Sequence, residues 1–72
     1  MGKVDNTDDR FRALAISRAR QGQCEGACSP HSGGIRAVHV SDPKTGHDWG
    51  YFAYCETARD TDAGRGLKCK DA

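Results

Sequence analysis

The sequence predicts a small α+β domain in which an N-terminal helix, a cysteine-bearing turn, a β-hairpin and a short C-terminal helix surround one site. Three observations predict it. Apolar residues recur at helical spacing from about residue 8 to 21, and residues 35–54 read as two short β-branched or aromatic runs about a Pro…Gly turn. Four cysteines flank that hairpin, two on each side. At 72 residues the chain holds one domain at most, 1–72, with 1–7 and 70–72 expected to be flexible ends.

The first helix is bounded by chemistry at both ends. Thr7 or Asp8 stands at its cap, Asp8 and Asp9 favour the positive end of its dipole, and Gly22 can stop it. On a helical wheel Phe11, Leu14, Ala15 and Ala19 share one face, and Arg12, Ile16 and Arg20 share another.

Residues 22–34 are dense in turn formers, and Cys24 and Cys28 sit inside them. The run Ile35–Ser41 then reads as a strand with Val38 and Val40 on one face. Asp42-Pro43-Lys44-Thr45-Gly46 supplies the turn, because proline presets φ for its second position and glycine suits the exit. His47–Tyr54 returns as an aromatic strand. Strict alternation puts Trp49 and Tyr51 on one face, Phe52 and Tyr54 on the other. Aromatics on both sides require that each side be covered, one by the first helix and one by the C-terminal part. A short helix from Glu56 to about Ala63, closed by Gly64, and a return segment Arg65–Cys69 complete the reading.

A core of this size leaves a net stability near zero, and this one is poor in large apolar side chains. The chain therefore needs a staple, and the cysteines are the candidates. No apolar run is long enough for a membrane span or a signal-peptide core. The expected location is thus cytoplasmic, where clustered cysteines more often mean metal than disulfides. Cys24 and Cys28 form a C-x3-C pair, Cys55 ends the aromatic strand at a helix start, and Cys69 follows that helix. Loops and helix ends of this kind converge four soft donors on Zn²⁺. A helix N-terminus also favours the Cys55 thiolate. The expected ligands are Cys24, Cys28, Cys55 and Cys69, with His31 the alternative fourth, ahead of His39 and His47. A Cys24–Cys28 disulfide and buried free thiols are the competing readings.

The order of knuckle, hairpin and helix resembles the treble-clef class of zinc fingers. Within that class, Thr45-Gly46 followed by Gly50-Tyr51-Phe52-Ala53-Tyr54-Cys55 is similar to the hairpin of HNH-type nucleases, over residues 24–58. Those nucleases carry an Asp-His pair just before the Thr-Gly, the histidine activating water. Here the matching places hold Val40 and Ser41, and Ala58 stands where a further cysteine is expected. The resemblance therefore implies a topology and a zinc ion, not the nuclease chemistry. The chain also looks like the small accessory proteins of phages and mobile elements.

Catalysis is not expected. Neither Cys55 nor His47-Asp48 comes with a third orienting group, and the glycines match no phosphate loop. Two binding readings remain. In the first, Arg12, Ile16 and Arg20 together with Trp49 and Tyr51 contact a host protein that the chain modulates or inhibits, since Arg, Trp and Tyr are enriched at interface hot spots. In the second, four arginines within residues 10–22 and the basic Gly64–Lys70 segment contact nucleic acid, in transcription or its regulation. A formal net charge of only +1 favours the first.

Overall fold

A computed structural model describes residues 8–26, 28 and 30–72; Thr7 and the expected flexible start, 1–7, lie outside these residues. The elements run α1 (Asp9–Arg20), β1 (Arg36–Asp42), β2 (His47–Tyr54), α2 (Glu56–Gly64) and β3 (Lys68–Asp71). The fold is the predicted α+β arrangement of helix, hairpin and helix, with a third strand added.

Asp8 precedes α1 as its N-cap residue, but its side chain caps nothing in the helix and instead pairs with Arg10 at 3.0 Å. At its other end Gly22 N–H donates to Ala19 O and Gln23 N–H to Arg18 O, which satisfies carbonyls the helix leaves open. Of the face that Leu14 and Ala15 share, Ala15 is buried and Leu14 is 45% exposed. The same device ends α2, which stops at Gly64 as expected. Gly66, not Gly64, takes the left-handed conformation (φ 87°), with Gly66 N–H on Ala63 O and Leu67 N–H on Asp62 O.

The sheet is antiparallel, in the order β2-β1-β3. Lys68–Asp71 was not expected as a strand, and Lys70 and Asp71 do not form a loose tail. They pair with β1, Lys70 opposite His39 and Asp71 opposite Val38, and Ala72 N–H adds a bond to Ala37 O. The sequence signal was weak because this strand is short and charged, as an edge strand can be.

The two helices cover opposite faces. Ile16 and Ala19 of α1 share a groove with Ile35 and Ala37, whereas Asp62 of α2 shares one with Val40, Phe52 and Tyr54. Alternation along β1 puts Ala37 and Val40 on opposite sides. Val38 and Val40 are fully buried on the α2 side, each contributing about 1.5–3 kcal/mol.

Strict alternation fails in β2. Val40 pairs with Gly50 and Ser41 with Asp48, so Trp49 is an extra residue in a bulge. Gly50 makes it possible, with φ 89° and its N–H on Asp48 Oδ1 at 2.9 Å. The bulge turns Trp49 onto the α2 side, in a cleft with Phe52 and Tyr54, away from Tyr51. Tyr51 stacks on His39, their ring centres 4.7 Å apart. The expected grouping of Trp49 with Tyr51 is therefore corrected.

Candidate metal centre

Three segments meet at one corner of the sheet. The turn after α1 brings Cys24 and Cys28, its continuation brings His31, and the β2–α2 junction brings Cys55. One donor atom from each of these four lies within 4.8 Å of the other three. Cys24 Sγ and Cys28 Sγ are 3.8 Å apart, as are Cys55 Sγ and His31 Nδ1. A tetrahedron with arms of about 2.3 Å has edges of about 3.8 Å, so two of these contacts match a zinc shell. Two others are tighter: Cys28 Sγ stands 3.2 Å from Cys55 Sγ and 2.7 Å from His31 Nδ1. Cys28 is the donor that must back away to give regular edges. All the cysteines are free thiols, and the Cys24–Cys28 disulfide is not formed.

The local chain is built to hold sulfur. Cys24 Sγ accepts from the N–H groups of Gly26, at 3.4 Å, and Cys55, at 3.3 Å. Cys55 is the N-cap of α2, and its Sγ accepts from Ala58 N–H at 3.5 Å. A serine or aspartate usually does this work, so a cysteine here serves the helix and the cluster together. Burial pushes the Cys55 thiol up, but the hydrogen bonds from Ala58, Cys28, His31 and the Ser32 backbone outweigh it and bring it down to about 5. Cys28 moves the other way. Burial and its two thiol neighbours push it up to about 12. Such a group carries less negative charge than it has donors for, and a dication removes that conflict by making every sulfur a thiolate.

Surrounding bonds fix the three segments. Glu25 N–H donates to Ala53 O at 2.8 Å, and the Glu25 carboxylate accepts from Ala53 N–H at 2.8 Å and from Arg18 at 2.9 Å. One side chain thus ties the turn to the edge of β2 and to α1. Glu25 lies outside the expected site residues, although an acid between the two cysteines of a knuckle is a visible signal in the sequence. On the far side Glu56 N–H donates to Ser32 O, and Ser32 Oγ meets Thr57 Oγ1 at 2.6 Å. These bonds anchor the His31 segment on the first turn of α2.

The structure gathers Cys24, Cys28 and Cys55 with His31 rather than with Cys69. Cys69 lies on β3 opposite Val40, where burial and then the Asp62 carboxylate push its thiol up. Beyond Gly66 the chain turns to pair with β1 instead of reaching back to the cluster. His39 also stands elsewhere, with Nε2 2.6 Å from Asp48 Oδ1, and His47 packs edge-on against Trp49. The five residues expected to meet a partner are not one surface. Ile16 and Arg20 line the groove beside Ile35, Tyr51 stacks on His39, and Trp49 faces the α2 side.

No protein-family model matches the chain, and none of the curated proteins or solved structures compared with it matches either.

Proposed function

We propose that the chain is a binding module, not an enzyme, whose fold is stapled by one zinc ion on Cys24 Sγ, Cys28 Sγ, His31 Nδ1 and Cys55 Sγ. The convergence of these four soft donors from three segments carries the reading. Three thiolates and an imidazole suit Zn²⁺ in a structural role, because four protein ligands leave no open position for a water to be activated. The ion would join the α1–β1 turn to the β2–α2 junction, the connection that a core with so few large buried side chains needs most. Free thiols fit a reducing compartment such as the cytoplasm. The order of knuckle, hairpin and helix supports the treble-clef resemblance. The nuclease residues that Val40 and Ser41 replace support binding over cleavage. As such a module the chain would act on a macromolecular partner through the surfaces that the staple holds in place.

The test is metal analysis of the full chain purified under reducing conditions. One equivalent of zinc, with unfolding on chelation and a tetrahedral thiolate spectrum after cobalt substitution, is the expected result. A metal-free chain that keeps its fold in chelator overturns the proposal.

A further inference from the structure

The bulge at Trp49 assembles a surface that the alternating pattern of β2 would have divided. Trp49, Phe52 and Tyr54 line one cleft of about 210 Å³ with Arg65 and Leu67. Phe52 and Tyr54 are stacked, 5.5 Å between centres and 14° from parallel, and His47 meets Trp49 edge-on at 4.4 Å. The row His47, Trp49, Phe52, Tyr54 therefore runs along one side of the sheet from the hairpin tip toward the cluster. Trp49 is 49% exposed, a costly place for the chain's only tryptophan unless something stacks on it.

Charge flanks the row on one side. The Lys44 ammonium lies against Gly66, where an added Cβ would stand 3.5 Å from Nζ, and this puts it beside Arg65. Arg65 is exposed at the end of α2 and borders the cleft. Among the described residues the one acid lining the cleft, Asp62, is buried. The aliphatic Val40 at the floor is fully buried, so the open part of the cleft is mainly aromatic, with Leu67 partly open and Arg65 at its edge, while Asp42 shares the adjoining groove with His47 and Trp49.

From this we infer that the aromatic row and its two cations form a binding surface for single-stranded nucleic acid. Bases stack on Trp49 and along the row, and Lys44 and Arg65 meet the backbone phosphates. Ring faces with adjacent point cations match that ligand, since every base offers a π-face and every nucleotide a charge. Among the described residues Leu67 is the one aliphatic side chain that the cleft leaves partly open, less ground than an apolar peptide would need. The inference deepens the binding-module reading by naming a partner class, and it departs from the protein partner that the near-neutral net charge favoured.

The lone tryptophan makes the test direct. The zinc content and circular dichroism of the full chain are measured first, so that failure of the staple is seen separately. Trp49 emission and the anisotropy of a labelled oligothymidylate of about ten nucleotides are then followed in one titration. Expected are quenching of Trp49, affinity that falls with salt at a log–log slope near −1.4 for two phosphate contacts, and weaker binding of a duplex of the same length. Trp49→Ala should lose about five- to a hundredfold in affinity and Trp49→Tyr much less. Arg65→Gln should flatten the salt slope by about 0.7. A folded, zinc-loaded chain that does not bind the oligomer at low salt overturns the inference and leaves the staple standing. It is equally overturned if Trp49→Ala binds as well as the parent, if the duplex is preferred, or if a protein partner occupies this surface while the oligomer does not.

Discussion

Gly26 and Ala58 meet so closely that a Cβ added to Gly26 would stand 2.5 Å from the Ala58 Cβ. The cysteine turn and the first turn of α2 are thus in backbone-to-side-chain contact beside the cluster, with Cys24 Sγ 3.6 Å from the same point. Gly26→Ala should cost about 1–3 kcal/mol by overpacking and lower metal affinity as well. Ala58→Gly in the same chain should recover most of the metal affinity. Gly34→Ala, with nothing within 4 Å, is the control and should change stability by about 1 kcal/mol or less. Chemical denaturation with parallel metal titration checks all three.

The ligand set can be read one residue at a time. Structural zinc is worth roughly 10–16 kcal/mol, so each of four ligands carries about 3 kcal/mol, or on the order of 100-fold in affinity. Cys24→Ser, Cys28→Ser, Cys55→Ser and His31→Ala should each lose about that much. Cys69→Ser should keep full affinity, because Cys69 stands on β3 opposite Val40. Competition with a chromophoric chelator gives the numbers. Loss of metal in the Cys69 variant with retention in His31→Ala would restore the ligand set that the sequence suggested.

The pair His39–Asp48 gives a pH prediction. Burial pushes the Asp48 carboxyl up, but the hydrogen bonds from the His39 ring and Gly50 N–H outweigh it, and the group sits below the ordinary carboxylate range. A depressed carboxyl contributes stability that is fully present above its unfolded pKa, about 3.9. That contribution is lost as pH falls through the lower folded value. Carbon-detected NMR titration should find Asp48 titrating below the free value, and His39→Ala should bring it back toward that value.

The bulge predicts its own dependence on Gly50. With φ at 89°, Gly50→Ala should cost about 1–2 kcal/mol, because an L side chain there crowds the following carbonyl. The emission of Trp49 should shift as the ring leaves the cleft. An unshifted emission maximum at unchanged stability would mean that the bulge does not need its glycine.

Much of this was legible in the chain itself. The helix over 8–21, the hairpin strands and the helix from Glu56 all lie within a residue or two of their predicted places, because periodicity, capping and turn chemistry agree there. Three of the four cluster residues were legible for the same reason: a turn and a helix start fix where Cys24, Cys28 and Cys55 point. The fourth was not. Spacing allowed Cys69 to return, and only the pairing of β3 with β1 removes it. Trp49 misled because alternation was assumed through Gly50, although a glycine within a strand is the usual mark of a bulge.

Glu25 has a further consequence. By bonding both the N–H and the C=O of Ala53, the turn closes part of the outer edge of β2, which no other strand among the described residues covers. An edge left open is a template for pairing with a second chain. Removing the metal would release the turn and expose that template, so a stripped chain should self-associate before it unfolds completely. The ion would then guard solubility as well as shape.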